Sequence, residues 1–154
     1  IKAGTICDNI ACNVDFAPTF LDLAEITIPN YMQGKSLRPL LRKLVPKDWS
    51  EVAYHRYWMH RDSEHNAYAH YGIRNQHYKL IYWYNEGFDL PGTNQGGEDQ
   101  EWELFDCLKD PLELFNLYND NNYRSVVNVM TKELEKKMLE IGDEPVHHQP
   151  KRKN

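Results

Sequence analysis

HYGIRNQHYKLIYWY, residues 70–84, contains two runs rich in Tyr, Trp and Ile on either side of Asn75-Gln76. Aromatic and β-branched residues favour strands, and so short an interval is typical of a hairpin between two antiparallel strands. Four of the eight glycines fall in residues 85–100, which we expect to form an exposed, mobile loop. With similar runs before and after the hairpin, the sequence predicts an antiparallel meander of four strands at residues 51–58, 68–74, 78–84 and 102–105.

After the predicted sheet, residues 123–141 carry apolar side chains every three or four positions, which is the spacing of one helix face. Charged residues occupy the other side, and Gly142 is suited to end the helix. A helix laid across one face of a small four-stranded antiparallel sheet is an α+β unit. Residues 143–154 have two prolines and no apolar periodicity, so we expect a tail that is disordered or wrapped over the surface.

Residues 1–44 are predicted to lack a core of their own. Residues 5–14 are strand-like, and the helix after them has Asp15 as N-cap and an apolar face that includes Phe16 and Phe20. One strand and one helix cannot enclose a core, so we interpret them as the end of a larger, incomplete α/β domain. A polar stretch around Pro46 marks the boundary. The predicted regions are therefore residues 1–44, 45–142 and 143–154.

Charge and composition exclude two broad classes of protein. The net charge of -5 argues against a general nucleic-acid binder, because such proteins neutralise phosphates with a basic surface. No apolar run approaches the roughly 20 residues of a membrane-spanning helix. Cys7, Cys12 and Cys107 fit neither a disulfide framework nor a zinc-binding spacing, so we expect free thiols. We predict no nucleic-acid and no membrane partner.

Three separated segments share one pattern: VDFAPTFLDLAEITIPNYMQGKSLRPLL at residues 14–41, HYGIRNQHYKLIYWY at residues 70–84, and WELFDCLKDPLELFNLYND at residues 102–120. In this order they resemble the C-terminal third of the type I sulfatases, a branch of the alkaline-phosphatase-like hydrolases. The chain departs from the family at Glu25, where a helix-ending glycine is common. The resemblance implies that the last strand and helix of a truncated α/β sulfatase domain precede the small sheet and its packing helix.

The resemblance also implies where the chemistry lies. Type I sulfatases hydrolyse sulfate esters through a formylglycine, made from the first residue of a CxPxR or SxPxR motif, beside one Ca²⁺. None of the three cysteines here is followed by the Pro and Arg of that motif. We therefore predict no catalytic residue and no cofactor in this chain, and expect the formylglycine and Ca²⁺ upstream, in an N-terminal sulfatase domain that is its partner. The fragment alone is expected to be inactive, and the parent protein to be secreted, periplasmic or lysosomal.

YHRYWMHRDSEHNAYAHYGIR, residues 54–74, is the candidate for contact with substrate. By the resemblance it lies near the mouth of the sulfatase cleft, where aromatic faces suit a sugar ring and His and Arg suit hydroxyls and sulfates. The structural alternative is that the aromatic residues build the sheet core and the polar residues form a solvated rim. Its histidines recur every five residues, which is not a metal-ligand spacing, and we predict no metal site. The predicted substrate-binding residues are Trp58, His60, His65, His70 and Arg74.

Three acids lie near the end of the sheet: Asp106, Asp110 and Glu113. Acids so close in sequence resemble the paired carboxylates that carry out general acid–base chemistry. Asp110-Pro111 is better explained by a turn and a helix start, with Glu113 near the helix N-terminus. Lys79 is expected to point outward or to pair with a nearby carboxylate. We predict structural roles for all of these residues.

The expected substrate of the parent protein is a sulfated carbohydrate. Residues 65–84 resemble sulfatases acting on sulfated amino sugars of glycosaminoglycans or mucins. Two other interpretations stay open: a non-catalytic sugar-binding or interaction module, and part of a related phosphodiesterase or phosphonate hydrolase. Binding of sulfated oligosaccharides by the chain alone would favour the first of these, and the upstream nucleophile motif would decide the second.

Overall fold

The computed structural model describes residues 3–149. The chain divides into two compact units, and the boundary falls between Ala53 and Tyr54, nine residues beyond the boundary predicted after residue 44. Within residues 3–149, no helix is both long enough and apolar enough to cross a membrane.

The second unit is built on a four-stranded antiparallel sheet whose strands follow one another in chain order, as the sequence predicted. Each observed strand lies within a residue or two of its predicted position. The strands are β1 (Ala53–Tyr57), β2 (His70–Arg74), β3 (Tyr78–Trp83) and β4 (Glu101–Asp106).

The β2–β3 hairpin is closed by Asn75. Its backbone N–H donates to the carbonyl of Tyr78 at 3.0 Å, and its side-chain oxygen accepts the N–H groups of His77 and Tyr78 at 2.8 and 2.7 Å. This Asx-type turn sets the register, which pairs Ile73 with Leu80 and His70 with Trp83. Because side chains alternate between faces, one face of the hairpin is apolar and the other carries the polar residues.

The apolar face is covered by α3 (Arg124–Ile141), as predicted. Its residues Met130, Leu134 and Met138 are almost completely buried. Full burial of such a side chain contributes about 1.5–3 kcal/mol, which makes this helix a principal source of stability. Gly142 ends the helix with a φ of 73°, in the left-handed region that favours glycine.

Residues 143–149, the start of the predicted tail, lie over the same side of the sheet. Asp143 accepts hydrogen bonds from the hydroxyl of Tyr54 and, at 2.5 Å, from the guanidinium of Arg56. A 3-10 helix, Val146–His148, follows, and Val146 is buried. This part of the predicted tail is therefore wrapped on the protein, and residues 150–154 lie outside the described residues.

Two loops differ from expectation. Residues 85–100 form no helix or strand, but the loop is not fully exposed: Asn85 is buried and its side chain donates to the carbonyl of Asp99 at 2.6 Å. The expected helix after Asp110-Pro111 is wrong. The Asp110 carboxylate accepts the N–H groups of Leu114 and Phe115 at 2.7 and 2.9 Å, which closes a turn in place of a helix.

The first unit contains α1 (Phe16–Leu23) and α2 (Arg38–Leu41), and no strand occurs between residues 3 and 52. The expected strand at residues 5–14 is wrong, because a strand needs a hydrogen-bonded neighbour and this unit offers none. A 3-10 helix, Asn13–Asp15, includes the last two residues of the predicted strand.

Asp15 organises the first unit. Its carboxylate accepts the N–H groups of Cys12 and Lys35, at 2.8 and 2.9 Å, and so joins the start of α1 to the segment before α2. That segment passes so close to α1 that a Cβ on Gly34 would lie 2.0 Å from the carbonyl oxygen of Val14. Only glycine fits at this position.

Candidate functional site

A group of aromatic and histidine rings lies on the polar face of the sheet. We call His55, Tyr57, His65, His70 and Trp83 the histidine–aromatic cluster. His70 is central: its ring centroid is 4.3 Å from that of Trp83, 5.4 Å from that of His55 and 5.8 Å from that of Tyr57, with which it stacks. The rings of His65 and Tyr57 form a T-shaped contact, with their centroids 6.2 Å apart. The cluster combines flat apolar ring faces with ring nitrogens, which is the pairing that a sugar requires.

Backbone register puts these rings together. His70 on β2 pairs directly with Trp83 on β3, and β1 adjoins β2 on its other side. Gly72 leaves the space that His55 fills, because a Cβ at residue 72 would lie 2.8 Å from the His55 ring and 2.5 Å from the carbonyl oxygen of Leu80. A side chain at position 72 would therefore displace the ring or the strand.

The two histidines at the centre of the cluster are neutral at pH 7. Burial lowers the pKa of His55 to about 4, with further lowering by His70 and Lys79. Burial also lowers the pKa of His70, although its hydrogen bond to the carbonyl of Tyr68 acts in the opposite direction. That bond, at 2.8 Å, needs the ring proton on Nδ1, since a carbonyl only accepts. Nε2 of neutral His70 therefore carries a lone pair and can accept a hydroxyl proton.

Trp83 is oriented by a carboxylate. Its indole N–H donates to Glu103 Oε2 at 2.6 Å, which fixes the ring plane against His70. Charge-assisted hydrogen bonds of this kind are strong and directional. The ring wall of the cluster is therefore held before any ligand arrives.

Arg74 does not join the cluster. It lies at the far end of β2, four residues after His70, which corresponds to about 13 Å along a strand. Its guanidinium is 3.8 Å from Glu113, which also accepts a hydrogen bond from Lys79 at 2.5 Å. Lys79 thus pairs with a carboxylate, as predicted, and Glu113 offsets part of the positive charge at that end of the face.

His60 has an architectural position. Its side chain is completely buried, with Nδ1 accepting the N–H of Ala69 at 3.2 Å and Nε2 3.1 Å from Glu98. Because Nδ1 accepts, the ring proton lies on Nε2 and is donated to Glu98. His60 thereby ties the loop between β1 and β2 to the loop between β3 and β4.

Glu98 completes this tie. It also accepts a hydrogen bond from Arg61 at 3.1 Å. Burial alone would raise the pKa of Glu98, but hydrogen bonds from its own backbone N–H and from Arg61 and His60 hold that pKa below its usual value. The carboxylate is therefore charged at neutral pH.

Trp58 lies apart from the cluster, with its ring half exposed under the guanidinium of Arg56, which is 3.5 Å from the ring centroid. Phe88 meets its edge at 6.5 Å. Of the five predicted substrate-binding residues, the structure brings together His65 and His70, and it places Trp58, His60 and Arg74 in other surroundings. Their contact with substrate stays a prediction.

Sequence reasoning missed Trp83 and His55 as members of the group. The signal for Trp83 was present, because a hairpin closed by residues 75–78 pairs position 70 with position 83. His55 could have been found by alternation along β1, since residues 55 and 57 share a face.

The comparisons with known proteins agree with one another. The family model described as N-sulphoglucosamine sulphohydrolase, C-terminal, matches residues 1–140. The chain belongs to this sulfatase family. It is 37% identical over 145 residues to an N-acetylglucosamine-6-O-sulfatase of Bacteroides thetaiotaomicron, a match that covers 93% of this chain and 24% of that protein.

Solved sulfatase structures share the fold. One, of a protein in complex with its substrate D-glucosamine-2-N,6-O-disulfate, superposes with a TM-score of 0.82 at 36% identity, over 97% of this chain and 28% of that one. A 2-O glycosaminoglycan sulfatase superposes with a TM-score of 0.63 at 26% identity, over 89% of this chain and 26% of that one. This sulfatase chain thus spans about a quarter of the length of the relatives it matches.

The calcium that the sulfatase family implies does not fit the residues described here. Within residues 3–149, the group of side chains that could hold an ion is Glu135, His147 and His148. Two imidazole nitrogens and one carboxylate do not suit Ca²⁺, which takes six to eight oxygen ligands. Cys107 is no substitute for the family's nucleophile, because burial raises the pKa of its thiol.

Proposed function

We propose that this chain is the C-terminal part of a sulfatase that hydrolyses sulfate esters of sulfated amino sugars, such as those of glycosaminoglycans or mucins. The match to an N-acetylglucosamine-6-O-sulfatase over 93% of the chain carries the proposal. The residues that react with the ester belong to an N-terminal sulfatase domain, which is the partner of this chain, and the chain alone is inactive.

The histidine–aromatic cluster gives the chain a part in recognition. Tyr57 and Trp83 offer flat faces for the apolar side of a pyranose ring. The lone pair on His70 Nε2 accepts from a sugar hydroxyl, and His65 stands at the outer edge with its side chain largely exposed. Through Glu98, His60 ties the loop that carries His65 to the loop between β3 and β4.

The first experiment compares two proteins. The 154-residue chain is assayed for hydrolysis of 4-nitrocatechol sulfate and of N-acetylglucosamine-6-sulfate, beside a longer protein that includes the coding sequence upstream of Ile1. We expect sulfate release by the longer protein alone. Turnover by the pure 154-residue chain would contradict the assignment of catalysis to another domain, and an upstream sequence without CxPxR or SxPxR would contradict the proposed sulfatase activity.

The second experiment tests recognition in the longer protein. We expect His70→Ala to raise KM for the sugar sulfate about tenfold, the loss of one good hydrogen bond with its packing, with little change for 4-nitrocatechol sulfate. Lys136→Ala, at an exposed side chain of α3, is the control. Equal losses on both substrates would show that His70 acts on the fold and not on the sugar.

A binding module without catalysis is the second candidate, because all five residues of the histidine–aromatic cluster come from this chain. Calorimetric titration of the 154-residue chain with sulfated oligosaccharides tests it. Binding that is lost in His70→Ala would favour a module that works without its partner domain. No binding would leave the cluster dependent on the rest of the sulfatase.

A further inference from the structure

Glu135, His147 and His148 meet at the end of the second unit, on the helix side of the sheet. Glu135 lies on α3, and both histidines belong to the 3-10 helix Val146–His148. Glu135 Oε1 is 2.9 Å from His148 Nε2 and 3.3 Å from His147 Nε2, and one ligand atom from each residue lies within 4.8 Å of the others. The two histidines lie beyond residue 140, the last residue that matches the family model.

The group is held in place by buried contacts. The His147 side chain is only 6% exposed, and its Nδ1 is 2.5 Å from the hydroxyl of Tyr71. That hydroxyl also accepts the backbone N–H groups of Val146 and His147, each at 3.1 Å. Upstream, the bond between Arg56 and Asp143 fastens the segment to β1. The ligand atoms therefore converge without help from an ion.

We propose that Glu135, His147 and His148 bind one divalent transition-metal ion, with Zn²⁺ as the best match. Two imidazoles and one carboxylate form a common zinc ligand set that leaves a fourth position for water. Ligands at ordinary zinc distances are about 3.3 Å apart in a tetrahedron, close to the two distances from Glu135 Oε1. The same donor set discriminates against Ca²⁺ and Mg²⁺, which prefer oxygen.

Protonation sets the expected affinity. A histidine that binds metal through Nε2 keeps its proton on Nδ1, where an oxygen usually accepts it. At His147 that oxygen is Tyr71 Oη, which has to release one of the two backbone N–H groups that it accepts before it can take this proton. Without metal, the proton on His147 Nε2 is donated to Glu135. Metal binding therefore replaces this proton and changes the tautomer, and Tyr71 Oη already accepts two backbone groups. We expect a Kd in the micromolar range, weaker than that of closed four-ligand sites.

The site goes beyond the sulfatase reaction. Its ion joins α3 to the segment after Gly142 and closes that segment over the sheet. Because the ion binds the folded chain, it raises the melting temperature by mass action. Its role is thus to fasten the C-terminal segment, whatever ester the parent enzyme hydrolyses.

The test uses the 154-residue chain without a polyhistidine tag, treated with EDTA and dialysed. We expect calorimetric titration with Zn²⁺ to give one site, a rise of several degrees in melting temperature, and no heat with Ca²⁺. Co²⁺ should give the visible absorption of a four-coordinate ion with nitrogen and oxygen ligands. Absence of Zn²⁺ binding overturns the proposal.

Variants identify the ligands. His148→Ala, at a side chain 62% exposed, leaves the fold intact and should weaken Zn²⁺ binding at least tenfold. Glu135→Gln should do the same. The matched control is His65→Ala, at a side chain 66% exposed and far from α3 in sequence, which should leave Zn²⁺ affinity unchanged. Equal losses in both histidine variants, or full affinity in His148→Ala, would overturn the site.

Discussion

The two units of this sulfatase chain bury different kinds of residue. In the second unit, Leu80, Leu104 and Leu134 are completely buried between the sheet and α3. In the first unit, the large apolar side chains of α1 are exposed: Phe16 by 53%, Phe20 by 69% and Leu23 by 54%. What it buries instead includes Asp15 and Thr19, which hydrogen-bond to the backbone. The second unit is therefore held by a large apolar core, whereas the first combines a small apolar core, which includes Leu40, with buried polar contacts.

The exposed apolar side chains of α1 indicate that the first unit lacks a neighbouring element that would cover them. An apolar face of that size on a helix normally packs against a neighbouring element. We infer that α1 contributes its apolar face to the larger sulfatase domain, in keeping with the proposed N-terminal partner. The second unit has a buried apolar core of its own, although it also exposes Leu112, Leu114 and Phe115.

The largest expected effect comes from the apolar core of the second unit. Leu104→Ala should lower the free energy of unfolding by about 2–5 kcal/mol, because it removes a fully buried side chain and leaves a cavity. Urea unfolding followed by near-UV circular dichroism measures it, since three of the four tryptophans lie in this unit. Phe20→Ala on α1 is the control, with an expected change within about 0.5 kcal/mol. A large loss for Phe20→Ala would mean that α1 has a buried partner within this chain.

The next largest effect is expected in the first unit alone, as a loss of its stability. Asp15→Ala leaves the N–H groups of Cys12 and Lys35 without their acceptor, at a cost of about 1–3 kcal/mol. Hydrogen exchange measured by mass spectrometry should be faster in peptides from residues 12–41. The exchange rate in residues 70–84 should not change. Asp48→Ala, which removes an exposed ion pair with Lys35, is the control. Faster exchange throughout the chain would show that the units unfold together.

Much of the second unit could be predicted from the sequence because its signals are local. Alternation and aromatic content located all four strands, and Gly142 located the end of α3. The strand expected at residues 5–14 failed because a local pattern cannot supply a pairing partner. The helix expected after Asp110 failed because the carboxylate closes a turn to Leu114 and Phe115.

The candidate site was harder to predict than the fold. His65 and His70 were named from residue type, and both belong to the histidine–aromatic cluster. His60 has the same residue type, but the structure buries it against Glu98, a contact between loops that no spacing encodes. Glu135 and the two histidines that follow α3 were overlooked for the same reason, since helix and segment meet only in three dimensions.

A change of pH sharpens the comparison, because all seven histidines lie in the second unit. Burial lowers the pKa of His55 to about 4 and lowers the pKa values of His70 and His147. For a histidine with a lowered folded pKa, the unfolded chain binds the proton more tightly. Stability is therefore present above pH 6.5 and is lost as pH falls from there toward 4.

From pH 7 to pH 5 we expect a loss of about 2 kcal/mol in the second unit, because pH 5 lies 1.5 units below the ordinary histidine pKa of 6.5 and one pKa unit represents about 1.4 kcal/mol. Amide exchange there should accelerate after correction for the intrinsic pH dependence. The first unit should not change, since the lowered pKa values of Asp22 and Asp48 matter only below about pH 4. His55→Phe should reduce the slope of stability with pH, and an unchanged slope would contradict the role of His55.

The smallest effect strengthens the first unit at the end of α1. Glu25 has a φ of 57°, and the N–H groups of Glu25 and Ile26 donate to the carbonyls of Asp22 and Leu21, at 3.2 and 2.9 Å. This is the hydrogen-bond pattern of a helix end that normally uses glycine, and a glutamate there adopts a strained backbone conformation. Glu25→Gly should therefore raise the stability of the first unit by about 0.5–1 kcal/mol, seen as slower amide exchange in α1. Ala24→Gly, one residue earlier at a φ of -85°, should have the opposite effect, because there glycine only adds entropy to the unfolded chain.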